Sequence, residues 1–472
     1  MQARFAVGIV LVAAALAAPS ARAQAPAPAP VTEPEPGLEP APGPAPGPAA
    51  APAREMGFAE TVAWAIPHGG LVRAARAGTD ALEAKLTQAK WTEWPHVSAS
   101  TALAPMPGRY GGPNEGSTDY AVWGVFSRTE ITGWVPLYTF NKIKHLKAAA
   151  SLGVDVGKAG EGIATAETRF RLHRAFFALS LARELSAIID EGRGYLDKAR
   201  RHVEELEAAD DPGLDPVDKL KLRVAEAQIK SRDLEARRGL ALAEAAIRTV
   251  AALPAEPVRL KVGTPEPVKS SIDLVLEDLT GKAVAGRPEL VALRTGIAAR
   301  EAEVRARRTA FWPDLLFAAQ FTYTHAGAWY RTGVDSPGGY TGRAGLVLKL
   351  DLELGRKIGE LHEAQANLAK LSADASEAER GVRLEVERLF REAVDARTMV
   401  DAQMDAMNAA RGWVISKTDL YDNDLAEMTD VLNGLVQFFQ SRMDYLKSIH
   451  DWNVALAALE RATGARLVPE AF

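Results

Sequence analysis

Cysteine is absent from the 472-residue chain. That excludes disulfides, thiolate metal sites, cysteine nucleophiles and a lipid anchor carried on an N-terminal cysteine. Long apolar runs are missing too. After residue 23 no stretch approaches the ~20 apolar residues a membrane-spanning helix requires, so any crossing of a bilayer must be made by strands closed into a barrel. Charge of one sign is also lacking. With 56 Lys and Arg against 61 Asp and Glu the net charge is −5, too mild to point to nucleic acid or an anionic membrane as a partner. The eight histidines are scattered, and His362-Glu363 lacks the second histidine of a zinc-binding helix, so no metal site and no cofactor are expected. No Ser-His-Asp or paired-carboxylate set is recognisable, so no catalytic residues and no enzyme activity are expected either. Gly153, Gly157, Lys158, Gly160 and Gly162 look superficially like a phosphate loop, but the spacing fails and no Ser or Thr follows the lysine. Close helix packing is the expectation there.

What is present begins with two segments that should not fold. Residues 1–23 combine Arg4, an apolar run from Phe5 to Ala18 and the small-residue site Ala21-Arg22-Ala23, the layout of a cleaved secretory signal. An exported protein is therefore expected. From residue 24 to about 55 the composition shifts to Ala, Pro and Gly, which predicts an extended tether rich in polyproline II.

The remainder is mostly helical, with 47% hydrophobic residues to build a core. Residues 58–93 read as helix, interrupted at Pro67 and Gly69-Gly70 and ended by Trp94-Pro95. Val97, Ala99, Thr101 and Leu103 alternate with smaller or polar residues as a strand does, a loop is expected from Pro105 to Asp119, and 120–135 form a second strand. Helical patterning then runs from Asn141 to about Ala209, on the order of 100 Å at 1.5 Å per residue, and again from Asp215 to Ala252. Helices of that length with a period near 3.5 indicate coiled-coil packing. Residues 254–285 form a less regular connector. After it the order restarts: helix, Trp312-Pro313, a strand at 315–323, a second strand from Tyr340 to about Glu353, a helix from about Arg356 to Ser416, and a last helix. The strand at 340–353 has an apolar face opposite one carrying Arg343, Lys349, Asp351 and Glu353, which suits lipid on one side and water on the other. Trp94, Trp123, Trp134, Trp312, Trp329 and Tyr330 fall near strand ends, as an interfacial aromatic girdle or as ordinary packing would place them.

The stretch Tyr421–Gly464 closes the chain's folded part. Met428, Leu432, Leu435, Phe439, Met443 and Leu446 recur at helical steps, Thr463-Gly464 supplies a stop, and Asp422, Asp424, Glu427 and Asp430 crowd its start, where the helix dipole favours negative charge. Residues 56–253 and 286–464 thus form two repeats, followed by a tail at 465–472. Four strands per chain cannot close a barrel, which needs about eight, so several copies must share one.

These residues resemble the TolC family of outer-membrane efflux channels over roughly 58–465. Thr429-Asp430-Val431-Leu432-Asn433, Asp444-Tyr445-Leu446 and Ala462-Thr463-Gly464 look like the family's last helix, and 135–142 (VPLYTFNK) and 350–357 (LDLELGRK) look like its strand-to-helix passages. The resemblance implies a mostly α fold with a small β part. In it, long antiparallel coiled-coil helices form a trimeric α-barrel, and four strands per chain contribute to a 12-stranded β-barrel in the outer membrane. It implies a homotrimer whose partners are a periplasmic adaptor (membrane fusion) protein, an inner-membrane pump and outer-membrane lipid. The protein would be a passive exit duct for tripartite efflux or type I secretion, gated at its periplasmic tip. Carried over by position, Asp430 and Asn433 fall at the family's acidic constriction, with the acid kept only at Asp430. Tyr421 and Asp218 match the tip-closing network, whose arginine is replaced by Ala426. Gly213 and Leu214 in the first repeat, and Asp424 and Leu425 in the second, match the adaptor-contacting turns. Three copies of Asp430 around one axis would repel one another and attract cations. The competing expectation is a non-conducting periplasmic coiled-coil scaffold with edge hairpins.

Overall fold

A computed structural model describes residues 54–111, 116–208, 216–254, 258–269, 275–325, 330–332, 339–423, 425–426 and 428–469. These lie within one body, Pro52–Phe472; the signal at 1–23 and nearly all of the tether fall outside the described residues. In chain order the elements are β1 (Arg54–Met56), α1 (Phe58–His68), α2 (Gly70–Trp91), β2 (His96–Gly111), β3 (Ser117–Tyr138), α3 (Lys142–Ala208) and α4 (Pro216–Ala251). Then follow β4 (Val258–Leu260), α5 (Leu276–Gly286), α6 (Pro288–Thr309), β5 (Asp314–His325), β6 (Tyr330–Thr332), β7 (Gly339–Lys349), α7 (Leu354–Asp422) and α8 (Met428–Thr463).

Two of the helices are very long, 67 residues in α3 and 69 in α7, and each packs along a 36-residue helix that follows it. The spacing of buried positions explains the pairing. On α7, Val382, Val386, Leu389, Ala393 and Val400 are buried, and on α8 Leu446, Ile449, Asn453, Leu456, Glu460 and Thr463 are. Steps of three and four alternate along both, the seam of a coiled coil. The outward side of α7 carries ion pairs at one-turn spacing, such as Arg383 with Glu379 at 2.8 Å and Arg388 with Glu392 at 2.7 Å. Each stabilises the helix by a few tenths of a kcal/mol.

The apolar core sits in the middle of the helices. Phe58, Leu172, Phe176, Leu179 and Ile247 pack under the parallel pair β1–β4, and Ile449, Leu456 and Leu459 pack against α5 and α7. The connector at 254–285 is more ordered than expected from its prolines, since it contains β4 and α5 and is clamped by α8. Val268 N–H donates to Asn453 Oδ1 at 2.9 Å, Asn453 Nδ2 to the Glu266 carbonyl at 2.9 Å, and Trp452 Nε1 to the Val268 carbonyl at 3.0 Å. His173 is 1% exposed and stacked on Phe58 at 4.1 Å. Burial, and after it the neighbouring Arg169, lower its pKa from 6.5 to about 3, so it is neutral in the fold. The helical programme ends as expected: Gly464 takes φ +69° and donates to the Glu460 carbonyl at 2.8 Å. Glu460 in turn accepts from Leu467 and Val468 at 2.9 and 2.8 Å, which folds the chain back along α8.

The strands form one sheet in the order β6-β2-β3-β5-β7, antiparallel except where β6 joins β2. Two expectations need correction. The loop expected at Pro105–Asp119 is mostly strand, because β2 continues to Gly111 and β3 starts at Ser117. Pro105 and Pro107 are tolerated because β2 lies at the sheet edge along that stretch, where a missing N–H can face away from the partner strand. The strand expected to reach Glu353 stops at Lys349, since its partner β5 begins only at Asp314 and offers nothing to pair with Leu350 to Glu353.

Candidate functional site

Cross-strand register fixes which side chains share a face. Val97, Gly133, Ala319 and Ala344 form one row across the four long strands, and Ala99, Ile131, Phe321 and Gly342 the next. Further along the same face stand Leu103, Val125, Phe317, Leu346 and Leu348, so this face is almost wholly apolar. Among the described residues nothing covers it: Val97 is 70% exposed and Leu346 68%. A patch of this extent left bare marks contact with lipid or another protein.

The opposite face is polar and internally bonded. Ser98 and Thr132 hydroxyls meet at 2.7 Å, Arg343 Nε donates to Gln320 Oε1 at 2.6 Å, and Gln320 Nε2 donates onward to Glu130 Oε1. Arg128 pairs with the same Glu130 at 3.2 Å. Trp134 also lies on this face, its ring tilted against that of His96 with centroids 4.0 Å apart, and so is not on the apolar face. Trp94, Trp123 and Trp312 are each more than half exposed; Trp329 lies outside the described residues.

Where strand becomes helix the backbone reverses its twist. Phe140 and Asn141 adopt φ +50° and +67°. Asparagine tolerates that conformation and phenylalanine does not, but Phe140 is held by stacking on Trp312 at 5.2 Å and by the edge of Tyr138 at 4.8 Å. Lys142 Nζ then donates to the Trp312 carbonyl and to Asp314 Oδ1, both at 2.7 Å. Lys357, the last residue of the second passage, donates to the Ala310 carbonyl at 2.9 Å and also to that of Asp351. The two lysines, each the last residue of one of the strand-to-helix passages quoted above, therefore both hold the α6–β5 turn, a role the motifs themselves did not specify.

At the far end, α7 turns into α8 through Asn423 and Leu425, whose N–H groups return to the Leu420 carbonyl at 3.2 and 2.8 Å. Leu425 is 73% exposed at the turn. Tyr421 is half-buried in the last turn of α7 and Asn433 is exposed on α8. Asp430 lies in the first turn of α8, and the sequence had left it without a counter-charge. The fold provides one: Lys417 Nζ on α7 reaches Asp430 Oδ2 at 2.8 Å. Lys221 of α4 also donates to Thr429 Oγ1 at 3.3 Å, so the two hairpins touch here. Asp218 is in the first turn of α4, with its side chain outside the described residues, and Gly213, Leu214 and Asp424 lie outside them as well. The glycine cluster on α3 holds no phosphate-loop geometry. A Cβ on Gly157 would lie 3.0 Å from Thr79 Oγ1 and from Leu82 of α2, whereas one on Gly160 would meet nothing. Among the described residues, no cluster of possible metal ligands occurs and no helix is long and apolar enough to cross a membrane.

Residues 279–465 match the family model described as outer membrane efflux protein. A comparison with curated proteins found no match. Among solved structures, the CmeC outer membrane channel of Campylobacter jejuni superposes with a TM-score of 0.70 at 13% identity, covering 87% of this chain and 86% of its own. The open-state MtrE outer membrane channel of Neisseria gonorrhoeae gives 0.69 at 14%, covering 86% and 89%. The outer membrane protein VceC of Vibrio cholerae gives 0.66 at 16%, covering 86% and 96%. Residues 279–465 thus match the outer membrane efflux protein family model, and the chain shares the fold of these outer-membrane channels.

Proposed function

We propose that the protein is the outer-membrane exit duct of a tripartite efflux or type I secretion system. Three copies close a 12-stranded barrel, and the long helices continue it into the periplasm. The observation that carries this reading is the bare, two-faced sheet. From Val97 to Pro107 the apolar face runs far enough that, at ~3.3 Å per residue and a tilt of ~40°, it forms a band about 25 Å high, the height of a barrel's lipid-facing belt. Among the described residues β7 is unpaired on its outer side and β2 is unpaired there except at 109–111, which suits closure by neighbouring copies.

In this reading 56–253 and 286–464 are two repeats of one hairpin-plus-helices unit, joined by 254–285, and residues 1–55 export and tether the mature chain. The tip at Tyr421, Asp218, Asp430 and Asn433 is the gate. Gly213, Leu214, Asp424 and the exposed Leu425 meet a periplasmic adaptor, which couples the duct to an inner-membrane pump. Purified protein in planar bilayers tests this directly. A detergent-stable trimer that falls apart on heating and conducts ions is expected, whereas a water-soluble, non-conducting protein would establish the coiled-coil scaffold instead.

A further inference from the structure

We infer that the polar face of the sheet carries a belt of excess positive charge, which makes the barrel's interior favour anions. The inference rests on the barrel reading above. Arg343 on β7, Gln320 on β5, and Glu130 and Arg128 on β3 form one unbroken chain of hydrogen bonds and ion contacts across three adjacent strands. Two guanidiniums stand against one carboxylate in that chain, so each copy contributes one net positive charge at this level. At one end of the sheet Lys349 is the cross-strand partner of Asp314, which Lys142 engages at 2.7 Å, while Asp351 and Glu353 just beyond it pair with Arg356, so that end adds no excess. On β2 the positions in register offer Ser98, Ser100 and Ala102, none of them acidic.

Geometry keeps this charge in place. Arg343 is tied through its Nε to Gln320, and Gln320 spends its amide on Glu130, so the carboxylate is fixed between Arg128 and the amide rather than against Arg343. A guanidinium bonded to a neutral amide keeps its full charge directed at the water. At ~0.1 M salt the field of such a belt reaches about 10 Å, and at ~0.01 M about 30 Å.

The chain's lack of cysteine provides a clean test. Thr341 lies two residues from Arg343 on the same face, and Leu103 is on the opposite, apolar face, near the middle of its belt. Thr341→Cys and Leu103→Cys are made singly in the full-length protein and reconstituted in phosphatidylcholine vesicles at low salt. Each is treated with a sulfonate-bearing and a trimethylammonium-bearing methanethiosulfonate, with rates normalised to a free thiol. At Thr341→Cys the anionic reagent is expected to react the faster. Its advantage should shrink when Arg128→Gln and Arg343→Gln are added and grow when Glu130→Gln is added. A reagent ratio that ignores all three substitutions overturns the inference. Equal modification of Thr341→Cys and Leu103→Cys would show water on both faces and overturn the barrel reading itself.

Discussion

Asp430 illustrates how a residue's meaning depends on its partner. Alone, three such carboxylates around an axis would repel and attract cations; with Lys417 at 2.8 Å each is largely offset. The pair is part-exposed, 30% for Lys417 and 45% for Asp430, so its worth to stability is at most about 1 kcal/mol. Its electrical effect is larger. Lys417→Ala should strengthen block of the reconstituted pore by multivalent cations, while Asp430→Ala should leave less block than wild type; single-channel recordings with both variants check this. His173 offers a second test at this scale. Because its folded pKa is about 3 against 6.5 unfolded, only the unfolded chain takes up the proton between those values. Stability should therefore fall as pH drops from about 6.5 towards 3, by up to ~1.4 kcal/mol per pH unit, and the loss is complete below 3. His173→Gln should flatten that part of the profile in thermal melts followed across the range.

Among elements, legibility tracked periodicity. Long helices with alternating three- and four-residue steps are readable because each turn repeats the same demand, and α3, α4 and α8 begin and end close to where the sequence places them. Pro105 and Pro107 misled because proline signals a loop unless the strand lies at an edge, and edge position is a property of the sheet rather than of the segment. Lys417, Lys142 and Lys357 were illegible for a related reason: each works through a carbonyl or carboxylate supplied by another turn or helix, at separations no local pattern reveals. The glycines of α3 show the same limit. Spacing excluded a phosphate loop, but only the packed helix tells Gly157, pressed on Thr79, from Gly153, whose Cβ would meet Leu82 at an ordinary 4.0 Å. Gly153→Ala should stabilise by up to ~1 kcal/mol through helix propensity, and Gly157→Val should destabilise by ~1–3 kcal/mol through overpacking. Chemical denaturation of the two variants side by side distinguishes these outcomes.

For the folded body, the decisive feature is that one sheet face is finished and the other is not. The polar face satisfies its own hydrogen bonds, while the apolar face awaits a surrounding. Substituting Leu103→Arg and Val125→Arg on that face should cost ~2–4 kcal/mol apiece near the middle of a bilayer and remove the protein from outer-membrane fractions, while Arg343→Leu on the polar face leaves its membrane fraction unchanged. Fractionation followed by unheated gel electrophoresis reads both. The apolar face and the helix seams could be read from alternation and heptads, but the tip could be read only by resemblance, since its side chains follow no period.

The short strand β6 has a consequence of its own. By lying parallel to residues 109–111 of β2 it occupies the outer end of that edge. Residues 96–108 remain open on that side among the described residues, a stretch two residues longer than the eleven-residue β7. A second copy pairing along this edge would meet β6 as a stop at its far end. Such a stop would fix the stagger of one subunit against the next and so bar slipped pairings.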